Sequence, residues 1–166
     1  MIRTLPDLKA VLPRGKRLLG LDLGSKTIGM AVADPGLVVA SPIGTIRRTK
    51  FTQDVRELAR VVKDYDVGGL VLGLPANMDG SEGPAAQSAR QFATNLLQRA
   101  DLLGWEAEIA FWDERLSTSA VQRFMIEADM TRKRRSEVVD KAAAAYILQG
   151  ALDALSRLVP PPEELE

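Results

Sequence analysis

An α/β fold, with a mixed five-stranded sheet flanked by helices, is the architecture that the order of patterns in this sequence predicts. Five short apolar runs have the length of strands. The first three runs are separated by brief turn sequences, which is typical of antiparallel neighbours. Stretches with helical spacing of apolar residues separate the later runs, and such stretches connect parallel strands in crossover units.

The first three predicted strands form an antiparallel unit. Residues 18–23 are apolar apart from one acidic residue, and residues 28–33 form a second apolar run. The turn composition of residues 24–27 joins these two strands as a hairpin. A second turn signal at residues 34–36 leads into a third strand over residues 37–46.

The later predicted elements alternate between helices and strands. Gly104 follows the last residue of one predicted helix, as expected for a C-terminal cap. Ser136 is the predicted N-cap of the last helix, and residues 131–135 form a basic connector before it. In chain order these elements are a helix over residues 54–65, a strand over 67–74, a helix over 84–103, a strand over 105–112, a helix over 117–128 and a helix over 136–158.

The length of 166 residues suits one domain. Residues 1–17 contain two prolines and a glycine and are predicted to be an N-terminal extension. Residues 18–158 are predicted to form the domain itself. The proline-rich, acidic residues 159–166 are predicted to be a flexible tail.

The composition excludes several kinds of chemistry. The chain has 22 basic and 22 acidic residues and no cysteine or histidine. Disulfides, thiol nucleophiles and imidazole-based catalysis or metal binding are therefore excluded. Any metal would bind oxygen ligands, which favours Mg²⁺ or Mn²⁺. Because no apolar run approaches the roughly 18 residues of a membrane helix, and the N-terminus does not resemble a signal peptide, a cytoplasmic protein without membrane contact is expected.

Acidic residues interrupt or end three apolar elements, which is costly unless the carboxylate is paired, protonated or bound to a metal. Asp22 lies inside the run of the first strand, and Asp113 and Glu114 end the last strand. Asp140 is the one charge in a helical row of otherwise apolar residues. The other members of this row are Ala144, Ile147, Ala151 and Leu155. Convergence of these sites would form a two-metal phosphodiesterase centre, with one ion activating water and the other steadying the leaving oxygen.

Each acidic position also has a purely structural explanation. Asp22 would cap the turn that follows its strand. Asp113 and Glu114 would solvate a strand end and cap the next helix. Asp140 would interact with the helix dipole or pair with a nearby cation.

Four blocks of sequence resemble the YqgF/RuvX family in order and spacing, over about residues 18–158. Four ordered blocks are specific, although any one of them alone would be weak. The resemblance implies a ribonuclease H-like fold, which agrees with the predicted order of elements. The blocks are LDLGSKTIGMA at residues 21–31, GLPANMDGS at residues 73–81, DERLST at residues 113–118 and VDKAAA at residues 139–144.

The resemblance also implies a nuclease that uses Mg²⁺ or Mn²⁺. The catalytic acidic positions of the family fall on Asp22, Glu114 and Asp140, with Asp22 bridging the metals. Asp113 is a further candidate metal ligand, and the choice between Asp113 and Glu114 stays open. We expect phosphate-positioning roles for basic and amide residues of these blocks and of the basic run, although that run is also interpretable as a solvated connector. These residues are Lys26, Asn77, Arg115, Arg132, Lys133, Arg134 and Arg135.

The pattern departs in one place from related resolvases, in which an acid lies at the tip of the strand beside the first strand. In this chain the tip carries the sequence LPAN at residues 74–77. The acids at residues 113 and 114 end a later strand and must reach across to the site.

The resemblance is compatible with two substrates. The family implies maturation of the 5′ end of 16S ribosomal RNA or resolution of Holliday junctions, and the first is favoured as the broader assignment. The expected partner is pre-rRNA or a ribosomal particle, with branched DNA as the alternative. A junction resolvase requires a symmetric dimer, and the sequence is compatible with a monomer or a homodimer.

Two other classes of protein share parts of the pattern. Residues 22–27 resemble the phosphate-binding hairpin of sugar-kinase and actin-like ATPases. Those ATPases need a second similar domain, for which 166 residues are too few. A non-catalytic nucleic-acid-binding ribosome-assembly factor would keep the basic run without depending on the carboxylates.

Overall fold

The computed structural model of the chain describes residues 1–75, 79, 81–113 and 132–157, with the backbone alone for residues 132–141. One five-stranded sheet has the strand order β3-β2-β1-β4-β5. The strands are β1 (Arg17–Leu23), β2 (Thr27–Ala33), β3 (Ala40–Arg47), β4 (Val67–Leu74) and β5 (Ile109–Asp113). The described helices are α1 (Leu5–Val11), α2 (Phe51–Asp64), α3 (Pro84–Gln98), α4 (Ala100–Leu103) and α5 (Arg132–Arg157). The predicted mixed α/β sheet is confirmed.

Strand direction gives the sheet one chemically distinct edge. Strands β1, β2 and β3 pair antiparallel, whereas β4 pairs parallel with both β1 and β5. The carboxyl ends of β1, β4 and β5 therefore lie along one edge, which we call the carboxyl edge. Leu21 pairs with Leu72, and Leu74 pairs with Asp113. Asp22 follows Leu21 directly, and Asp113 is itself a member of the second pair. Both aspartates therefore lie at the carboxyl edge.

Strand alternation divides the core between the two faces of the sheet. Leu19 and Leu21 of β1 pack with residues of α2 and α3 on one face. Leu18 packs on the other face with the apolar residues of α5. Gly20 and Asp22 share the α5 face with Leu18, because side chains two residues apart on a strand point the same way. Period-two alternation along residues 18–23 predicts this grouping from the sequence alone.

The predicted inward row of the last helix is confirmed for its described members. Ala144, Ile147, Ala151 and Leu155 are all buried against the sheet. The helix approaches β1 closely at Gly20, where an added Cβ would lie 2.8 Å from the Cβ of Leu148. Only a glycine permits this backbone separation.

The predicted start of the last helix is wrong. Residues 132–135 are helical, so they are not a connector, and Ser136 lies inside α5 instead of capping it. Arginine and lysine have high helix propensity, which lets the basic run continue the helix toward its N-terminus. Asp140 consequently lies more than two turns into the described helix, where the dipole of a helix N-terminus is weak.

Other boundaries also differ from their predictions: β3 begins at Ala40 instead of residue 37, and α2 begins at Phe51 instead of residue 54. The helix predicted over residues 84–103 is interrupted at Arg99, whose φ of −121° and ψ of 46° separate α3 from α4. Gly104 ends α4 with a φ of 76°, a left-handed conformation that glycine adopts without strain, as predicted. The strand predicted over residues 105–112 begins only at Ile109.

The N-terminal residues pair with β5, the outer strand on one side of the sheet. The backbone of Arg3 donates to the carbonyl of Ile109 at 2.7 Å, and Ile109 donates to the carbonyl of Met1 at 2.9 Å. Arg3 also forms an ion pair with Glu108. Helix α1 buries Leu8 completely, against the position of Gly69. Residues 1–17 are therefore packed on the sheet, while the proposed division into extension, domain and tail stays a prediction.

Some predicted elements lie outside the described residues. These are the helix over residues 117–128 and the tail over residues 159–166. Among the helices that the structure describes, none combines the length and the apolar character needed to cross a bilayer.

Candidate active site

Asp22 lies near the end of β1, beside the β1–β2 turn. It pairs with Gly29 of β2, and its side chain is half-buried. Alternation places it on the α5 face, two residues beyond Gly20 toward the carboxyl edge. The carboxylate thus lies beyond the contact between β1 and α5 at Gly20, and partial burial strengthens its interaction with a bound cation.

Helix α5 carries Asp140 toward the same end of the same face. The side-chain amide of Gln149 contacts the backbone of Val38 and Ala40 at 2.9 Å each, at the edge opposite the carboxyl edge. The contact at Gly20 involves Ala144 and Leu148, so α5 runs from the carboxyl edge toward the opposite one. The backbone of Asp140 lies one turn before Ala144, about 6 Å along the axis. The side chain of Asp140 lies outside the described residues.

Asp113 reaches the carboxyl edge from two strands away. Strand β4 separates β1 from β5, and two strand spacings amount to about 10 Å. Phe111 packs with the core on the α2–α3 face, whereas Trp112 packs with the α5 cluster. Asp113 alternates with Trp112 and lies on the α2–α3 face, opposite to Asp22. The structure therefore brings these two aspartates to one edge but not to one face.

The remaining predicted site residues are described only in part. Lys26 is exposed in the β1–β2 turn. Glu114, Arg115 and Asn77 lie outside the described residues, as do the side chains of the basic residues at 132–135. Within the described part of the chain, no three acidic side chains converge as a metal site. The carboxylates of Glu114 and Asp140 lie outside that part of the chain.

The residues fit a hard divalent cation by the chemistry of their donors. Asp22 offers carboxylate oxygens at the carboxyl edge, and the chain supplies no thiolate or imidazole ligand. Such oxygen ligands suit Mg²⁺ and Mn²⁺ better than Zn²⁺.

An arginine clamp, which the sequence did not reveal, fixes the loop after β4. Arg90 of α3 donates to both carboxylate oxygens of Glu82, at 2.6 and 2.8 Å. The same guanidinium lies over the ring of Phe111, 4.9 Å from its centroid. Hydrogen bonding from Arg90 lowers the pKa of the Glu82 carboxyl below its ordinary value. The clamp joins the loop, α3 and β5 beside the carboxyl edge, and a spacing of eight residues in sequence carries no signal for such a contact.

Arg48 supports the turn that carries Lys26. Its guanidinium donates to the carbonyl of Gly24 at 2.6 Å, and its backbone donates to the carbonyl of Lys26 at 2.8 Å. The guanidinium also lies 5.8 Å from the ring centroid of Phe92. Sequence patterns missed this residue too, because its partners are more than twenty positions away.

A mixed five-stranded sheet with this strand order and these helices is a ribonuclease H-like fold. A family model described as "RuvX: Holliday junction resolvase" matches residues 16–154. The chain belongs to the RuvX family, and it is an enzyme that hydrolyses phosphodiester bonds.

Curated relatives cover most of the chain. A protein of Rhodospirillum centenum named "Putative pre-16S rRNA nuclease" is 73% identical over 154 residues, which are 93% of this chain and 82% of the relative. A Paramagnetospirillum magneticum protein of the same name is 63% identical over 89% of this chain and 92% of its own length.

Solved structures support the fold. RuvC of Thermus thermophilus, determined in complex with a Holliday junction substrate, superposes with a TM-score of 0.52. The match covers 88% of this chain and 99% of that chain at 13% sequence identity, so it is informative about the fold alone.

Proposed function

We propose that this protein is a divalent-metal-dependent nuclease that matures the 5′ end of pre-16S ribosomal RNA in the cytoplasm. One observation supports the catalytic part most directly. Asp22 and the backbone of Asp140 lie at the same end of the same face, on two elements that touch at Gly20. The names of relatives that are 63% and 73% identical support the RNA substrate.

In this proposal, Asp22, Glu114 and Asp140 hold Mg²⁺ or Mn²⁺. Asp22 is the central ligand because its partly buried carboxylate lies on β1, the middle strand of the sheet, on the face that α5 covers. A bound cation would neutralise charge on the scissile phosphate and lower the cost of deprotonating an attacking water. The position of Asp113 on the opposite face favours Glu114 over Asp113 as the ligand from this block.

Lys26, Asn77, Arg115 and the basic run at 132–135 are proposed to position the phosphates. Lys26 carries the direct structural support, because it is exposed in the turn that follows Asp22. A cation in this place offsets phosphate charge without competing for the metal ligands.

Resolution of four-way DNA junctions is the second candidate function. It is favoured by the description of the matching family model. That reaction cuts two symmetry-related strands, so it requires a homodimer with two active sites. A monomeric enzyme suffices for trimming ribosomal RNA.

The proposal is tested by cleavage assays with three labelled substrates. These are single-stranded RNA spanning the 5′ end of mature 16S rRNA, DNA of the same sequence and a four-way DNA junction, each with Mn²⁺ or EDTA. Pre-30S particles are a fourth substrate. We expect Mn²⁺-dependent cleavage of the RNA substrates, its loss in Asp22→Asn, and its retention in Asp64→Asn, a matched change at an exposed residue of α2.

Each outcome discriminates between functions. Preferential cleavage of the junction, together with a dimer in solution, would replace RNA processing by junction resolution. Absence of metal-dependent cleavage on all four substrates would refute the nuclease proposal and favour a non-catalytic assembly factor.

A further inference from the structure

A group of cations extends from the candidate active site along the carboxyl edge to the outer strand β3. Lys26, Arg47 and Lys50 are exposed, and Arg48 is half-buried among them. Lys26 lies in the β1–β2 turn, Arg47 ends β3, and Lys50 immediately precedes α2. We call Lys26, Arg47 and Lys50 the basic track.

Register places Arg47, one residue of the track, on the same face of the sheet as Asp22. Asp22 pairs with Gly29, and Gly29 pairs with Thr45 of β3. Arg47 pairs with Thr27 and lies two residues farther toward the carboxyl edge. Ile46 is buried in the α2–α3 core, so its neighbour Arg47 points to the α5 face. The backbone of Arg47 is therefore about 12 Å from that of Asp22.

The cations of the track are available for an external anion. Within the described residues, no carboxylate lies within ion-pairing distance of Lys26, Arg47 or Lys50. The acidic residue nearest in sequence to Arg47 and Lys50 is Asp54, which is 5% exposed and turned inward. It accepts hydrogen bonds from the backbone and the hydroxyl of Thr49, at 3.1 and 3.4 Å. Exposed cations without a described carboxylate partner attract polyanions.

The backbone that carries the track is held in place. Arg48 connects the end of β3 to the β1–β2 turn through the carbonyls of Gly24 and Lys26. Asp54 holds the segment before α2 through Thr49. A backbone that is already held in place loses less conformational entropy on binding than a mobile loop would.

From this placement we infer that the basic track binds the phosphate backbone of the nucleic-acid strand as it leaves the active site over β3. The inference rests on the nuclease function proposed above, because that function puts the scissile phosphate at Asp22. The track contacts phosphates and reads no bases. It therefore contributes affinity and direction, with equal effect on every sequence.

The test is the salt dependence of binding, measured without cleavage. Fluorescence anisotropy in EDTA is recorded for labelled single-stranded RNA, single-stranded DNA and a four-way junction over a range of KCl concentrations. Arg47→Ala combined with Lys50→Ala removes two cations of the track. Arg56→Ala combined with Arg60→Ala removes two exposed cations from α2 and is the charge-matched control.

We expect the track variant to flatten the plot of log K against log salt by about 1.4 for a single strand, or by about 1.8 for the duplex arms of the junction, since each phosphate contact contributes about 0.7 on single strands and about 0.9 on duplex DNA. The control variant should keep the wild-type slope. Arg47→Lys combined with Lys50→Arg should restore the slope, because it keeps both charges. The probe whose salt slope changes most identifies which nucleic acid the basic track binds: RNA, single-stranded DNA or the junction.

Other outcomes overturn the inference. Wild-type slopes in the track variant, or equal losses in the track and control variants, would show that β3 lies off the path. Absence of binding to all three probes would do the same.

The inference and the proposed function fail separately. Asp22→Asn should abolish cleavage and leave the salt slope of the track unchanged. If the protein shows no nuclease activity but the track variant still flattens the salt slope, the track is a binding surface and the proposed nuclease function is refuted. If the protein cleaves its substrate but the track variant keeps the wild-type salt slope, the nuclease function stands and the inference about the basic track is refuted.

Discussion

Gly20 of β1 and Leu148 of α5 lie in direct contact, so close that a Cβ on residue 20 would be 2.8 Å from the Cβ of Leu148 and 3.1 Å from the carbonyl oxygen of Ala144. Both obstacles belong to backbone or to the first side-chain atom, and neither can rotate away. The spacing between β1 and α5, which carry Asp22 and Asp140, is therefore set at this contact.

Gly20→Ala should destabilise the protein by about 1–3 kcal/mol, because the helix must move away from the strand. The displacement should also raise the Mn²⁺ concentration needed for half-maximal cleavage. Urea denaturation and a metal titration of the cleavage rate measure the two effects. Asp22→Asn is the comparison, since it should abolish cleavage without a similar loss of stability. Unchanged stability in Gly20→Ala would show that β1 and α5 adjust independently.

Removal of one acidic ligand should change how the protein responds to metal. Converging carboxylates repel one another without a cation, and a ligand that binds only the native state raises the melting temperature. Millimolar Mn²⁺ should therefore raise the melting temperature of the wild type and of Asp64→Asn. The shift should be much smaller in Asp22→Asn. Differential scanning fluorimetry measures it, and equal shifts in all three proteins would place metal binding elsewhere.

The clamp between Glu82 and Arg90 predicts a pH-dependent contribution to stability. The pKa of Glu82 is lowered by its hydrogen bond to Arg90, so the folded state favours the carboxylate. This contribution is present above the unfolded pKa of about 4.3 and is lost as the pH falls through the lower folded value. Glu82→Gln should consequently be less stable than wild type at pH 7, and the difference should shrink through this acidic window. Urea midpoints across pH measure it, and a gap that persists below the folded pKa would contradict the clamp.

The N-terminal residues should be part of the folding unit. Leu8 is fully buried, so Leu8→Ala should cost about 2–5 kcal/mol through lost burial and a cavity. Val11→Ala on the same helix is the control, because Val11 is exposed and surface changes cost about 0.5 kcal/mol or less. Equal unfolding midpoints in the two variants would show that α1 is an independent extension, as the sequence suggested.

Asp54 should stabilise the segment between β3 and α2. It accepts hydrogen bonds from Thr49 in a buried setting, so Asp54→Ala should cost about 1–2 kcal/mol, as for the loss of a helix cap. Asp54→Asn keeps an acceptor oxygen and should lose less. Thermal unfolding ranks the variants, and an Asn variant as unstable as the Ala variant would indicate that the negative charge matters more than the hydrogen bonds.

Local patterns predicted the elements of the sheet well and their ends less well. Residues 18–23, 28–33 and 67–74 correspond to β1, β2 and β4 within one residue. Each is a run whose burial is determined by its own side chains. The predicted start of α5 was wrong because a serine after a basic run is common outside helices. The high helix propensity of arginine and lysine instead extended the helix through residues 132–136.

The candidate site was predictable in part. The face of Asp22 followed from strand alternation, and the buried row beyond Asp140 followed from helical spacing. The face of Asp113 did not follow, because it depends on the parallel register between β4 and β5. Arg47, Arg48 and Arg90 were missed for the same reason, since their roles arise from partners that are distant in sequence.

By itself the sequence determined the α/β class, the alternation of β1, the apolar face of α5 and the restriction to oxygen ligands. Each of these depends on residue type and on periodicity within one element. Only the tertiary structure decided the rest: that Asp113 faces away from Asp22, and that Arg47 ends β3 on the face of Asp22. These relationships depend on which strands pair and in which register, and that choice is made by the packing of the whole core rather than by any one segment.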